Sequence, residues 1–153
     1  LDAAVALAAL QDSKIVVEEA IDGQEVECAV LGNECPQASI VGEIGAGAEF
    51  YDYDDKYKNG KSQLYIPAHL DAPVADELRH IACRAYRLLG CTGLARVDFF
   101  VRGGKEVLLN ELNTLPGFTA ISMYPKLWEA CGKPIAQLLD ELISLAEERK
   151  RYM

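Results

Sequence analysis

The sequence predicts an α+β fold, an antiparallel sheet with flanking helices. Three observations predict it. Short runs of alternating or β-branched residues are broken by glycine turns at Asp22-Gly23 and Gly103-Gly104. Apolar residues recur at helical spacing between Val74 and Leu89. The strands come in neighbouring pairs rather than alternating one by one with helices.

Taken in order, Leu1 to Leu10 is rich in Ala and Leu and reads as a helix. Lys14 to Ala20 is β-branched and reads as a buried strand. Asp22-Gly23 is a tight hairpin signal, and Glu25 to Leu31 reads as the returning strand. Ala38 to Ile44 is a third strand. Gly45 to Pro67 then changes character: glycines, a dense Asp/Tyr/Lys cluster and little apolar periodicity. A loop this long in a compact domain is usually functional. Phe50, Tyr51, Tyr53, Tyr57 and Tyr65 argue against a disordered insertion, because disordered tracts are poor in aromatics. Asp71 caps a helix that runs to about Leu89, with Gly90 at its C′ position. Leu94 to Val101 and Glu106 to Leu112 are strands joined at Gly103-Gly104. Lys126 to Cys131 and Pro134 to about Lys150 are helices, with Pro134 in a first turn.

The chain has 153 residues, enough for one domain with a core. It opens on Leu1 inside a helix, which reads as a fragment of a longer protein. Acidic residues outnumber basic ones 24 to 15, against the basic patch a polynucleotide binder carries. No apolar run approaches the roughly 18 residues of a membrane helix. The five cysteines are odd in number and form no C-x-x-C pair, so they match neither a disulfide framework nor a zinc site. They read as mostly buried, reduced thiols of a cytoplasmic protein.

The hairpin at Gly103-Gly104 carries the chemistry. With those two residues as the loop, Arg102 pairs with Lys105, Asp98 with Leu109, Arg96 with Glu111 and Leu94 with Asn113. Alternate and opposed residues share a face, so Arg96, Asp98, Glu111 and Asn113 project from one side. Asp, Glu and Asn offer only oxygen donors, which suit Mg²⁺ or Mn²⁺ rather than zinc. Arg96 on the same face could clamp a transferring phosphoryl group. A solvated polar face with a cross-strand Arg96–Glu111 pair fits the same spacing, and Leu109 on that face favours it. The Pro116-Gly117 turn follows, where backbone amides could meet an anion. Ser122 and Met123 stand where a helix may begin, a natural carboxylate site.

Several of these segments resemble one family. Gly93-Leu-Ala-Arg96-Val-Asp98-Phe, Asn110-Glu111-Leu-Asn113-Thr-Leu-Pro116-Gly117-Phe-Thr119 and Ser122-Met-Tyr124-Pro125 resemble D-alanine–D-alanine ligases of the ATP-grasp superfamily. Tyr51-Asp-Tyr53-Asp-Asp-Lys56-Tyr57 resembles that family's mobile substrate-covering loop. Val17-Glu18-Glu19-Ala20-Ile21 with Glu25 resembles its nucleotide-binding hinge. The likeness spans nearly the whole chain, with the motifs in order.

The resemblance implies ATP-dependent joining of two D-alanines through an acylphosphate, for peptidoglycan synthesis. By it, Asp98, Glu111 and Asn113 hold two Mg²⁺ (or Mn²⁺) ions on the phosphates. Arg96 and the Gly117 N–H stabilise the tetrahedral intermediate, and Ser122 with Met123 receives the second D-alanine. Glu18, Glu19, Ala20 and Ile21 line the adenine pocket, Glu25 binds the ribose, Lys56 joins the nucleotide site and Tyr57 acts in the covering loop. It divides the chain into the end of a central ATP-grasp subdomain with its hinge (1–22) and a C-terminal catalytic domain (23–153), including the covering loop (45–67). It also implies a cytoplasmic homodimer for the whole protein.

The loop carries Lys56 and Tyr57 where relatives making D-alanyl-D-lactate place a histidine, which favours an amine nucleophile. Met123 leans toward D-alanine over D-serine. The family's N-terminal domain and its glycine- and serine-containing phosphate loop have no counterpart here, so this polypeptide alone is expected to be inactive. Another ATP-grasp carboxylate–amine ligase, including a D-alanine–D-serine ligase, and a catalytically silent module of the same fold are the competing readings.

Overall fold

A computed structural model describes residues 1–45, 63–119 and 121–150. In chain order it contains α1 (Asp2–Ala8), β1 (Gln24–Gly32), β2 (Gln37–Ile44), β3 (Leu64–Tyr65), α2 (Ala72–Leu88), β4 (Gly93–Arg102), β5 (Glu106–Asn113), α3 (Met123–Ala130) and α4 (Ile135–Lys150). The strands form one antiparallel sheet in the order β3-β2-β1-β4-β5. The α+β expectation holds.

The pleat divides the sheet into two faces. Val26, Cys28 and Val30 of β1 and Ala95, Val97, Phe99 and Val101 of β4 point to one face, where Leu78, Ala82 and Tyr86 of α2 cover them. Ala29 and Leu31 of β1 point to the other face, under Met123, Tyr124, Leu127 and Trp128 of α3 and Leu138 of α4. Two buried phenols tie the layers to the sheet: Tyr86 donates to the Gly32 carbonyl at 2.8 Å and Tyr124 to the Val30 carbonyl at 3.0 Å. Burial pushes both phenols well above their ordinary pKa. Gly42 lets α3 approach β2, since a Cβ there would lie 2.7 Å from the Met123 sulfur.

The helix α2 ends as its sequence requires. Gly90 sits at C′ with φ +66°, Gly90 N donates to Arg87 O and Cys91 N to Tyr86 O, the pairing of a Schellman motif. Asp71 occupies its N-cap position without a side-chain capping bond.

Several expectations are corrected. Lys14 to Ala20 forms no strand. Val16 and Val17 are 72% and 67% exposed, and no described strand lies alongside to complete a ladder. β-branched residues favour extended backbone, but a strand exists only against a partner. Asp22-Gly23 therefore closes no hairpin; β1 begins just after it and pairs with β2 and β4. The stretch expected as an unbroken loop over 45–67 ends in the edge strand β3, which pairs with β2. The loop's body, with Lys56 and Tyr57, lies outside the described residues. Helix α3 starts at Met123 rather than Lys126, since Pro125 falls in the first turn, where no helical N–H partner is lost. All five thiols are free, but only Cys28 is buried, while Cys35 and Cys131 are exposed. Burial pushes the Cys28 thiol up to about 12. Among the described residues, no helix is long and apolar enough to cross a membrane.

Candidate functional site

The β4–β5 hairpin has a different register from the one its glycines imply. Arg102 pairs with Glu106, so the loop is Gly103-Gly104-Lys105, one residue longer than a two-residue turn. Both glycines have positive φ, 58° and 71°, a backbone that favours glycine. A bulge then inserts Asn110 between the pairs Phe99–Leu109 and Asp98–Glu111. Each irregularity shifts the pairing by one residue. One shift alone would turn Glu111 and Asn113 to the opposite face; two restore the parity. Asp98 is thus directly opposite Glu111, and Arg96 opposite Asn113, not diagonal as expected. Leu109 leaves its expected pairing with Asp98 and lies 48% exposed.

On the other side of β4, Asp98 pairs with Glu27 of β1. Glu27, Asp98 and Glu111 therefore form a row of carboxylates across three adjacent strands. Arg96 stands among them. Its Nε and Nη2 donate to the two Asp98 oxygens at 2.7 and 2.6 Å, a bidentate fork, and its Nε lies 3.1 Å from Glu27 Oε2. Glu27 and Asp98 are buried, at 3% and 5% exposure. Burial works against the charge on Arg96. The Asp98 hydrogen bonds and the charges of Glu27, Asp98 and Glu111 outweigh it and raise the guanidinium pKa above its ordinary value. Three carboxylates converge here on one guanidinium, an acidic surplus that a cation would offset.

Glu27, Arg96, Glu111, Asn113, Gly117, Ser122 and Met123 line one cavity of about 460 Å³. Its floor is the polar part of the face whose remainder lies beneath α3 and α4. Ser122 is the N-cap residue of α3. Its Oγ accepts from Thr119 N at 3.0 Å and lies 2.9 Å from Thr119 Oγ1. Gly117 lies so close that a Cβ there would come within 2.9 Å of Ser122 Oγ. Asn113 Oδ1 accepts from Leu115 N, which fixes the turn leading to Gly117. Met123 lines the cavity and is also part of the core beneath α3. A larger cavity, of about 610 Å³, lies between α4 and the β1–β2 turn. It lacks the convergent, strand-borne charges of the hairpin face, so the smaller cavity is the candidate site.

Among the described residues, no three His, Cys, Asp or Glu side chains form a metal cage of their own. Asp98, Glu111 and Asn113 supply two carboxylates and an amide oxygen. Such a hard, incomplete donor set fits a magnesium-like ion that takes its remaining ligands from phosphate and water. Asp98 already accepts from Arg96, but its carboxylate keeps further lone pairs.

The other sequence-predicted residues do not converge here. Glu18, Glu19 and Ala20 are exposed and Ile21 is half-buried, on the extended segment before β1. Glu19 lies 3.5 Å from Arg102, its one ion-pair partner among the described residues. Glu25 is half-buried and shares its β1 face with Glu27. Lys56 and Tyr57 lie outside the described residues. Glu27 was missed by the sequence reading. Its signal was a carboxylate in the middle of a strand that is otherwise apolar from Val26 to Leu31.

The family model for the D-ala D-ala ligase C-terminus matches residues 1–144. A D-alanine–D-alanine ligase from Sodalis glossinidius is 56% identical over 150 residues, covering 97% of this chain and 41% of the relative. The D-alanine–D-alanine ligase structure from Coxiella burnetii superposes with a TM-score of 0.85 at 42% identity, covering 99% of this chain and 39% of that one. The VanG D-Ala:D-Ser ligase from Enterococcus faecalis gives 0.83 at 42% identity, over 94% of this chain and 42% of its own. A Bacillus anthracis D-alanine–D-alanine ligase complexed with ATP gives 0.81 at 28% identity, over 99% and 48%. The chain spans about two fifths of the curated relative it matches. With its sheet, bulged hairpin and polar cavity in place, this chain belongs to the family of D-alanine–D-alanine ligase C-terminal domains.

Proposed function

We propose that the whole protein joins two D-alanines using ATP, and that this chain supplies the catalytic C-terminal side of the site. The observation that carries the reading is the convergence of Arg96, Glu111, Asn113, Gly117 and Ser122 on one cavity. Residues 1–22 would then belong to the end of the central subdomain and its hinge, and 23–153 to the catalytic domain.

Asp98, Glu111 and Asn113 would hold Mg²⁺ or Mn²⁺, two ions in this reading, against the nucleotide phosphates. Bound there, the ions would neutralise charge on the transferring phosphoryl group. The first D-alanine carboxylate attacks the γ-phosphorus of ATP, the bond to the β-phosphate oxygen breaks, and ADP leaves as the acylphosphate forms. The amine of the second D-alanine then attacks the acyl carbon, and phosphate leaves. Arg96 and the Gly117 N–H would stabilise the negative charge of the tetrahedral intermediate. Ser122, with Met123 beside it, receives the second carboxylate at the start of α3. Glu18 to Ile21 and Glu25 would contact the adenosine, and Lys56 and Tyr57 would close over it. The exposure of 18–20 fits a surface that other parts of the enzyme cover. A cytoplasmic homodimer, using small molecules and neither nucleic acid nor membrane, belongs to the same reading.

D-Serine as second substrate is the alternative, since a D-Ala:D-Ser ligase resembles this chain as closely as a D-alanine ligase does. Phosphate release by the full-length protein, with ATP, D-alanine and either D-alanine or D-serine as acceptor, decides between them. Turnover with D-alanine that disappears in Glu111→Gln is expected. Unchanged rates in that variant would refute the metal role, and no turnover with either acceptor would refute the ligase reading.

A further inference from the structure

Arg96 has two carboxylate partners where one would satisfy its charge. Asp98 takes the guanidinium fork, and Glu27 approaches from the neighbouring strand at 3.1 Å. Glu27 is 3% exposed and lines the cavity itself. Burying a carboxylate is costly unless something repays it. Asp98 also has two claimants in the proposed reaction, the Arg96 fork and the cation on the phosphates. A carboxylate bound to a divalent ion is a weaker partner for a guanidinium, because the ion draws on the same lone pairs.

We propose that Glu27 is a positioning residue for Arg96, holding the guanidinium over the cavity while Asp98 is turned toward the cation. This rests on the ligase reading above. Glu27 and Asp98 are opposed on β1 and β4, so the two carboxylates flank Arg96 from neighbouring strands. Without Glu27, the Arg96 fork would compete directly with the cation for Asp98.

The test uses the full-length protein with Glu27→Gln, which keeps the shape, and Glu27→Asp, which keeps the charge. Two readouts are needed: the kcat and KM for D-alanine and ATP, and calorimetric binding of ADP as magnesium is varied. Glu27→Gln is expected to lower kcat about tenfold or more, with KM for ATP at saturating magnesium nearly unchanged, as partners behind a metal ligand usually do. The magnesium needed for half-maximal ADP binding should rise several-fold. Glu27→Asp should recover part of both. Loss of activity with an unchanged magnesium dependence, tracking a lowered Tm in both variants, would make Glu27 merely structural and overturn the proposal. Wild-type kcat and magnesium dependence in Glu27→Gln would overturn it as well, leaving the ligase reading intact. A parent protein without turnover would instead overturn the ligase reading, and this role with it.

Discussion

At Arg96 the number and direction of donors matter more than the charge. Its fork makes two parallel bonds to Asp98, which a lysine cannot reproduce. In the full-length protein, Arg96→Lys is expected to reduce kcat by about 10²-fold, the usual cost of one donor to a developing oxyanion. Binding of Mg-ADP, measured by calorimetry, should change little. Glu43 illustrates a carboxylate with a structural task. Burial raises its pKa, but bonds from the His69 backbone, the Gln24 amide and the His69 ring together hold it below the ordinary value of 4.5. A depressed folded-state pKa contributes stability at pH above 4.5 that is lost as pH falls through the lower, folded value. Thermal unfolding of Glu43→Gln should therefore approach that of the parent at pH 3, and the gap should widen toward pH 6.

The decisive element is the hairpin β4–β5. Its glycines, strands and polar residues were legible in the sequence, and so was the face they share. The register was not. A Gly-Gly pair fits a two-residue turn, and neither the third loop residue Lys105 nor the bulge at Asn110 leaves a mark in alternation. The two errors cancelled in parity, so Asp98, Glu111 and Asn113 landed on the right face with the wrong partners. The bulge brings Glu111 opposite Asp98. Deleting Asn110 should turn Glu111 and Asn113 away from the cavity. Mg-ADP binding should be lost in the full-length protein while far-ultraviolet circular dichroism stays near that of the parent; retained binding would show that the bulge is dispensable.

Across the whole molecule, the expected element that is missing altogether lies at the N-terminal end. The 14–20 run has strand chemistry but no described partner, and Leu1, Leu7, Leu10, Val16 and Val17 are all largely exposed. Local pattern gives backbone preference, whereas a ladder requires a neighbour. The strands from Gln24 onward were legible because one sheet holds them: each pairs with another described strand. Glu27 left only one local mark, a carboxylate in an apolar run; its pairing with Asp98 on β4, about seventy residues away, is encoded by no local pattern. This chain alone is expected to show no ligase turnover, because it spans only 41% of a curated relative's length.

In the proposed ligase, Asp98, Glu111 and Asn113 carry the metal at a nucleotide site. A crystal structure of the full-length protein with Mg-ADP tests it most directly. Magnesium is expected between Asp98 and Glu111, with Asn113 in its coordination sphere and nucleotide phosphate oxygens completing it. Phosphates bound elsewhere, with the hairpin carboxylates left to solvent and Arg96, would contradict it.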